Sequence, residues 1–414
     1  MRILLLSTYF RPDIASTGVL MTNLAEDLAG LGHNVTVVTT FPHYGTGKIW
    51  EAYRGKLFQR AKHGPIDVYR LYVYVPRHKG VVSGRLFNYA TFNVLSALVG
   101  TFIGKHDVIL SPSPPLTNGL SADLLSRVHR IPFVYNVQDI YPDVAIRMGM
   151  MTNTKVIAFF SRVEQYVYHR AAALAVISEG FRRSLLDKGI PPQKIKVIPN
   201  FADIEFIRPL SRHNGFSSRE NLDGKCVVLF AGNIGFSHGM ETVLEAAAKL
   251  REQKELLFLI VGNGAAKPPM VDYAQELELE NVRFLPFQAH EVIPEMYASS
   301  DICLVPLRKS FTAESVPCKV FTITAAARPL IASVDRDSDT HNFVQEAQCG
   351  LWVEPEDSNA LAEAILTLYA DKELRECLGR QGRQHVEAHY TRQAIARQYH
   401  ELLTTLGEMG TDGS

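Results

Sequence analysis

Cys226-Val227-Val228-Leu229-Phe230-Ala231-Gly232-Asn233-Ile234-Gly235-Phe236-Ser237-His238-Gly239-Met240 is the stretch on which the fold turns. A continuous apolar run ends in a glycine-rich loop, and an amphipathic pattern then runs through Met240–Glu252. An apolar run of this length bounded by glycines reads as a buried strand, and the pattern after it as a helix, so the segment opens a βαβ unit. Glycines around a helix start let backbone N–H groups approach a diphosphate. A tight strand-to-helix turn explains the same glycines equally well.

Reading toward the C-terminus, the grammar repeats as strand Leu256–Val261, helix Lys267–Leu279, strand Val282–Leu285, helix Val292–Ala298, strand Ile302–Pro306, helix Lys319–Ala327 and strand Leu330–Ser333. The stretch Asn359–Leu406 reads as successive amphipathic helices, long enough for the last to return to the first half. Toward the N-terminus, Ile207–Gly224 lacks periodicity and concentrates Pro, Ser, Gly and Asn, which is linker composition. Before it, strands are expected at Arg2–Thr8, Asn34–Thr40, Val68–Val73, Asp107–Leu110, Phe133–Val137, Ala173–Ile177 and Lys196–Ile198, in one parallel sheet with intervening helices. The fold class is therefore α/β, with two Rossmann-like domains facing each other across a cleft. The expected boundaries are 1–206, 207–390 and a C-terminal segment 391–414 that packs back on the first domain.

Composition bounds the function. A chain of 414 residues exceeds what one hydrophobic core supports, and 46% hydrophobic residues is ordinary for a globular protein. Five cysteines without a CxxC or Cys/His cluster indicate neither a disulfide framework nor a metal site, which fits a reducing cytoplasm. The start Arg2-Ile3-Leu4-Leu5-Leu6-Ser7 is too short an apolar run for a signal sequence. Zero net charge conceals an asymmetry: residues 1–200 hold 23 Lys+Arg against 12 Asp+Glu, and the rest 20 against 31. A basic half suits a phospholipid surface or a pyrophosphate-bearing acceptor, or is simply solvated surface charge, and the acidic half argues against nucleic acid wrapping both domains.

Ligands of doubly wound domains gather at the carboxyl ends of strands. After the first strand comes Arg11-Pro12-Asp13-Ile14-Ala15-Ser16-Thr17-Gly18, where Thr17 and Gly18 begin a helix that can face a phosphate or an acceptor oxygen. In the second half the expected donor contacts are Gly232, Asn233, Gly235, His238, Gly262 and Gly264. The most informative stretch is Phe311-Thr312-Ala313-Glu314-Ser315-Val316-Pro317-Cys318-Lys319-Val320-Phe321. There Glu314 can accept from sugar hydroxyls, the amides of Ser315 and Val316 can donate to donor oxygens, and Lys319 can neutralise a leaving diphosphate. The plainer alternative is a helix-terminal carboxylate and a solvated lysine.

That stretch, with the following Ala-Ala-Ala-Arg-Pro-Leu-Ile-Ala-Ser, resembles the donor signature of glycosyltransferase family 4, retaining enzymes of the GT-B fold. Phe41-Pro42-His43-Tyr44, Val137-Gln138-Asp139-Ile140-Tyr141-Pro142-Asp143 and Pro199-Asn200-Phe201-Ala202-Asp203 resemble the branch containing bacterial N-acetylfucosamine transferases of O-antigen and capsule assembly. The resemblance implies a UDP-sugar or similar donor held by the second domain, with Phe284 and Leu285 near the base and no metal or other cofactor. It implies a glycan or polyprenyl-linked acceptor on the first domain and a front-face mechanism without a protein nucleophile. Asp139 would border the reaction centre and orient the acceptor hydroxyl, or serve as a structural carboxylate.

Three departures from the family pattern stand out. Thr322 occupies the place of a second Glu that would bind the donor ribose, so only weaker neutral hydrogen bonds remain. Ala327 replaces a Gly at the helix end. Asn233 and His238 stand where relatives carry fixed cations, leaving Lys319 the main diphosphate partner. The segment 86–103, flanked by Arg77, Lys79, Arg85 and Lys105, is too polar to span a membrane but can rest on the inner leaflet. A buried helix is the competing reading. A non-catalytic nucleotide-sugar sensor and a GT-B epimerase stay open as alternative functions. A phosphorylase would need a lysine holding pyridoxal phosphate.

Overall fold

The computed structural model describes residues 1–13, 15–44, 47–76, 82–147, 149–309 and 317–411. The chain divides into two compact units, Met1–Pro199 with Arg392–Ser414, and Asn200–Thr391.

In the first unit the described residues form a sheet from β1 (Arg2–Leu6), β2 (Asn34–Thr40), β3 (Phe58–His63), β4 (Ile66–Leu71), β5 (Val108–Pro112), β6 (Phe133–Val137), β7 (Ala173–Val176) and β8 (Ile195–Val197). Their order is β3-β4-β2-β1-β5-β6-β7-β8. Leu4 and Leu6 of β1 join a core with the inner faces of helices Val82–Phe102 and Thr154–Arg170. Ile3 and Leu5 alternate to the opposite face and are equally buried. The helix Arg392–Thr411 closes the unit: Arg392 pairs with Asp27 and Glu26 at 3.0 Å, and Asn136 donates to the Tyr399 hydroxyl at 2.8 Å.

In the second unit the sheet comprises β9 (Cys226–Asn233), β10 (Leu256–Asn263), β11 (Val282–Leu285), β12 (Ile302–Pro306), β13 (Leu330–Ser333) and β14 (Gly350–Val353), ordered β11-β10-β9-β12-β13-β14. Val227 and Leu229 of β9 enter one core while Val228 and Phe230 enter another. A strand buried on both faces must be apolar throughout, which is why the run at 226–231 reads so plainly. Strand order reverses beside β9, so the loops after β9 and β12 lie at a topological switch point.

Two expectations need correction. The first sheet is not wholly parallel, because β3 runs antiparallel to β4. The segment Ile207–Gly224 is not a linker: Asn214 accepts from the N–H groups of Phe216 and Ser217, capping a short helix at Gly215–Arg219, and Phe216 and Leu222 are buried in the second core. Capping residues and linker residues share one composition, and packing distinguishes them. The change of unit accordingly comes at Asn200 rather than at Ile207.

Candidate functional site

The loop that follows β9 is built around a buried ammonium group. Gly232 has φ +139°, a region favouring glycine, and a Cβ there would stand 3.5 Å from Lys319 Nζ. Lys319 projects from the first turn of the helix Cys318–Ala325. Its stem is partly exposed, but Nζ is closed to water and lies 4.0 Å from the Phe230 ring centroid, with no hydrogen-bond partner among the described residues. A ring face offsets part of the cost of burying the cation. Burial still lowers the Lys319 ammonium to about 7.

His238 meets the same ring edge-on at 5.4 Å. Burial, and secondarily the charge of Lys319, lowers its imidazole to about 3, so it is neutral near pH 7. Its Nδ1 is buried beside the Gly235 backbone and has no side-chain partner among the described residues. Arg308, just beyond β12, anchors the loop by donating its N–H to Ser237 O at 2.9 Å, and its guanidinium pairs with Glu241 while Nε stays buried and unpartnered. Lys319 Nζ, His238 Nδ1 and Arg308 Nε thus gather about one glycine-rich loop. A buried polar group without a partner costs about 1–3 kcal/mol, so such a cluster calls for an anionic or polar ligand.

The other expected donor contacts have more structural roles. Gly262, at φ +147°, and Gly264 would drive a Cβ to 1.8 Å from Gly232 O and 2.2 Å from Ile234 O, so close strand packing alone requires them. Gly235 packs near the side chains of Asn233 and His238, and Asn233 is exposed at the end of β9. Phe284 and Leu285 are half-buried against different cores, and the Leu285 carbonyl accepts from Lys267 Nζ at 3.0 Å. Lys267 also reaches Gly262 O at 2.8 Å and so ties the ends of β10 and β11 together. Thr322 is half-buried, with its hydroxyl donating to Cys318 O at 3.3 Å within its own helix. Glu314, Ser315 and Val316 lie outside the described residues, as do Arg77 and Lys79.

In the first unit, Gly18 lies against Tyr9, where a Cβ would come within 2.8 Å, and half-buried Thr17 sits beside it in a helix without a side-chain N-cap. Asp13, in the preceding loop, accepts from the N–H groups of His43 and Tyr44 at 3.0 and 3.2 Å. Asp139 follows β6. It is open to solvent on one side and crowded by protein on the rest, and the crowding pushes its carboxyl up to about 6. No described residue bonds that carboxylate, whereas the backbone beside it is held by Ser113 Oγ at 2.9 Å from the Gln138 N–H.

Phe230, Arg308 and Lys267 were not singled out by sequence. Arg308 and Lys267 follow strand ends, a usable signal. Phe230 sits inside an apolar strand and carries none.

The two units match two family models in turn. Residues 17–200 match the model described as "Glycosyl transferase 4-like domain", and residues 214–385 the model "Glycosyl transferases group 1". The protein is a glycosyltransferase of the GT4 type. This glycosyltransferase is 27% identical over 377 residues to WcaI of Escherichia coli K12, which is named for colanic acid biosynthesis, covering 88% of this chain and 91% of that one. Its fold is similar to that of sucrose-phosphate synthase from Thermosynechococcus elongatus, with a TM-score of 0.75 at 21% identity over 98% of this chain and 99% of the other. Anabaena HepE in complex with UDP superposes with a TM-score of 0.73 at 18% identity, covering 98% and 100%. The two-domain α/β architecture is therefore the GT-B fold.

Proposed function

We propose that this glycosyltransferase retains anomeric configuration and moves a sugar, of the N-acetylamino type, from a UDP-sugar or similar donor to a glycan or polyprenyl-linked acceptor of the cell envelope. The observation that carries the donor assignment is the buried ammonium of Lys319 beneath Gly232, without a partner among the described residues. A diphosphate laid along the loop after β9 supplies the missing acceptor for Lys319 Nζ and a partner for His238 Nδ1. Glu314, Ser315 and Val316 hold the sugar, and Thr17 and Gly18 receive the acceptor. Asp139, raised toward neutral pH, orients the acceptor hydroxyl. As the glycosidic bond to phosphate breaks, Lys319 stabilises the charge that develops on the leaving diphosphate, and the acceptor proton passes to a departing phosphate oxygen. Work at the cytoplasmic membrane face fits the basic first unit.

The complex of HepE with UDP and the name of WcaI support this reading without fixing donor or acceptor. The missing ribose carboxylate at Thr322 favours a second reading, a nucleotide-sugar sensor that binds without turnover. Incubation with a panel of nucleotide sugars separates the two. Release of UDP and free sugar, abolished in Lys319→Ala, is the expected result; binding of every donor without release would establish the sensor.

A further inference from the structure

Strand β6 carries one residue that packing alone does not call for. Phe133-Val134-Tyr135-Asn136-Val137 is buried at every position, and Asn136 is fully closed to solvent. A buried amide is tolerated only when its hydrogen bonds are made, so its partners show what it serves. One partner belongs to the sheet: Asn136 Nδ2 donates to Ala175 O of β7 at 3.2 Å. The other two form a chain. Nδ2 also donates to the Tyr399 hydroxyl at 2.8 Å, and Oδ1 accepts from Gln138 Nε2 at 2.9 Å. Side-chain hydrogen bonds thus run from the helix Arg392–Thr411, by way of β6, to the residue beside Asp139.

Both ends of the chain bear on the site. Tyr399 is buried on a helix seated by Ile395 and Leu403, by the ion pairs of Arg392, and by a 2.7 Å contact between His400 Nδ1 and His33 Nε2. Its hydroxyl is therefore a fixed point. At the other end, the Asp139 carboxylate is bonded to no described residue, so its aim depends on the backbone that carries it. Ser113 Oγ holds that backbone, 2.9 Å from the Gln138 nitrogen and 3.4 Å from the Asp139 nitrogen. With Asn136 taking the Gln138 side chain, the loop is gripped on two sides. The titratable groups behind it are the Tyr135 phenol, pushed up by burial and by the charges of Glu164 and Asp139, and Glu164 itself, paired with Lys188. Lys188 also pairs with Asp143 at 3.0 Å, beyond the far end of the loop.

We propose that Tyr399 is a positioning residue for sugar transfer: its hydroxyl, acting through Asn136 and Gln138, fixes the loop that presents Asp139. This rests on the reading of Asp139 as the group that orients the acceptor hydroxyl. The test uses the full chain with carbon-13 at the aspartate carboxyls, the Asp139 signal being identified by its loss in Asp139→Asn. Crowding holds that carboxyl at about 6 in the wild type. Tyr399→Phe removes one oxygen and keeps the ring. The loosened loop lets water reach the carboxyl, which should then titrate at about 5 or lower, toward the ordinary carboxylate range. Gln138→Met should do the same, and the double variant should go no further than either single one, because both act through Asn136. Amides of residues 138–141 should exchange about tenfold faster in Tyr399→Phe, with UDP affinity unchanged. In a panel of UDP-sugars, kcat for UDP release should fall about tenfold at constant donor KM. Absence of turnover from every donor would undo the transferase reading and leave the titration to decide the positioning. A carboxyl that titrates alike in wild type and Tyr399→Phe would overturn the proposal, as would a wild-type value already at about 4. So would additive shifts in the double variant, or a lower melting temperature with the carboxyl and the loop amides unmoved, which would leave Tyr399 a packing residue.

Discussion

The loops that follow β1 and β9 occupy equivalent places, each leaving the first strand of a Rossmann-like sheet to enter a helix without a side-chain cap. Their unmatched polar groups differ in kind. After β1, Asp13 is buried and its Oδ2 accepts two backbone N–H groups, while the nearby Arg70 guanidinium donates to the Arg11 carbonyl; Asp13 Oδ1 and Arg70 Nη1 are buried without a partner among the described residues. After β9, nitrogens from a lysine, a histidine and an arginine are buried without a side-chain acceptor among the described residues. The first loop leaves a carboxylate oxygen and a guanidinium nitrogen unmatched, groups of opposite charge, whereas the second leaves nitrogens alone and is short of acceptors. Equivalent topology thus does not make equivalent sites; hydrogen-bond accounting separates scaffold from ligand pocket.

Lys319→Met should break the comparison most severely. Removing a charge-assisted donor is expected to weaken UDP binding about a hundredfold by calorimetry and to cut transfer further, because the ammonium also stabilises the leaving diphosphate. The unliganded fold should hold or gain stability, since a buried charge is removed. Asp13→Ala should act the other way round: about 2–3 kcal/mol of stability lost in urea melts, with UDP affinity unchanged. A drop in UDP affinity without destabilisation would show that the first loop is a ligand site as well. Thr322→Glu restores a carboxylate at the expected ribose position and should tighten UDP about tenfold; unchanged affinity would put the ribose elsewhere. The smallest effect is expected at Ala327, whose φ of +53° is left-handed. Ala327→Gly relieves that strain against greater unfolded-state entropy, for a net gain below about 1 kcal/mol in thermal melts.

Much of this was legible in the order of residues because the second sheet is buried on both faces. Strands β9, β10, β12 and β13 read as apolar runs because little else survives there, whereas the edge strand β11 is half-buried throughout and carries Arg283. β3 escaped notice for the opposite reason: Phe58-Gln59-Arg60-Ala61-Lys62-His63 is an edge strand, half-exposed and charged, and only its pairing to β4 marks it as a strand. β14 was missed because Gly350–Val353 is short and begins with glycine. Asn214 read as linker because a cap and a loop use the same side chain. In the candidate site, Lys319 and Gly232 were visible as parts of a motif. Phe230 was not, since its role beneath the ammonium depends on a helix far along the chain. Gly262 and Gly264, expected among the donor contacts, are required by close strand packing in any case.

Proton linkage tests the central claim most directly. Lys319 free at about 7 is mostly neutral at pH 8 and mostly charged at pH 6. A diphosphate favours the charged form and raises that value, so binding must take up a proton above pH 7 and little below it. Calorimetry of UDP in buffers of differing ionisation enthalpy should give uptake near one proton at pH 8, falling toward zero at pH 6, with affinity weakening as pH rises through 7 to 9. Lys319→Met should abolish the uptake. Tight UDP binding with no proton uptake at pH 8, or equal uptake in the variant, would contradict a buried ammonium as the partner of the diphosphate.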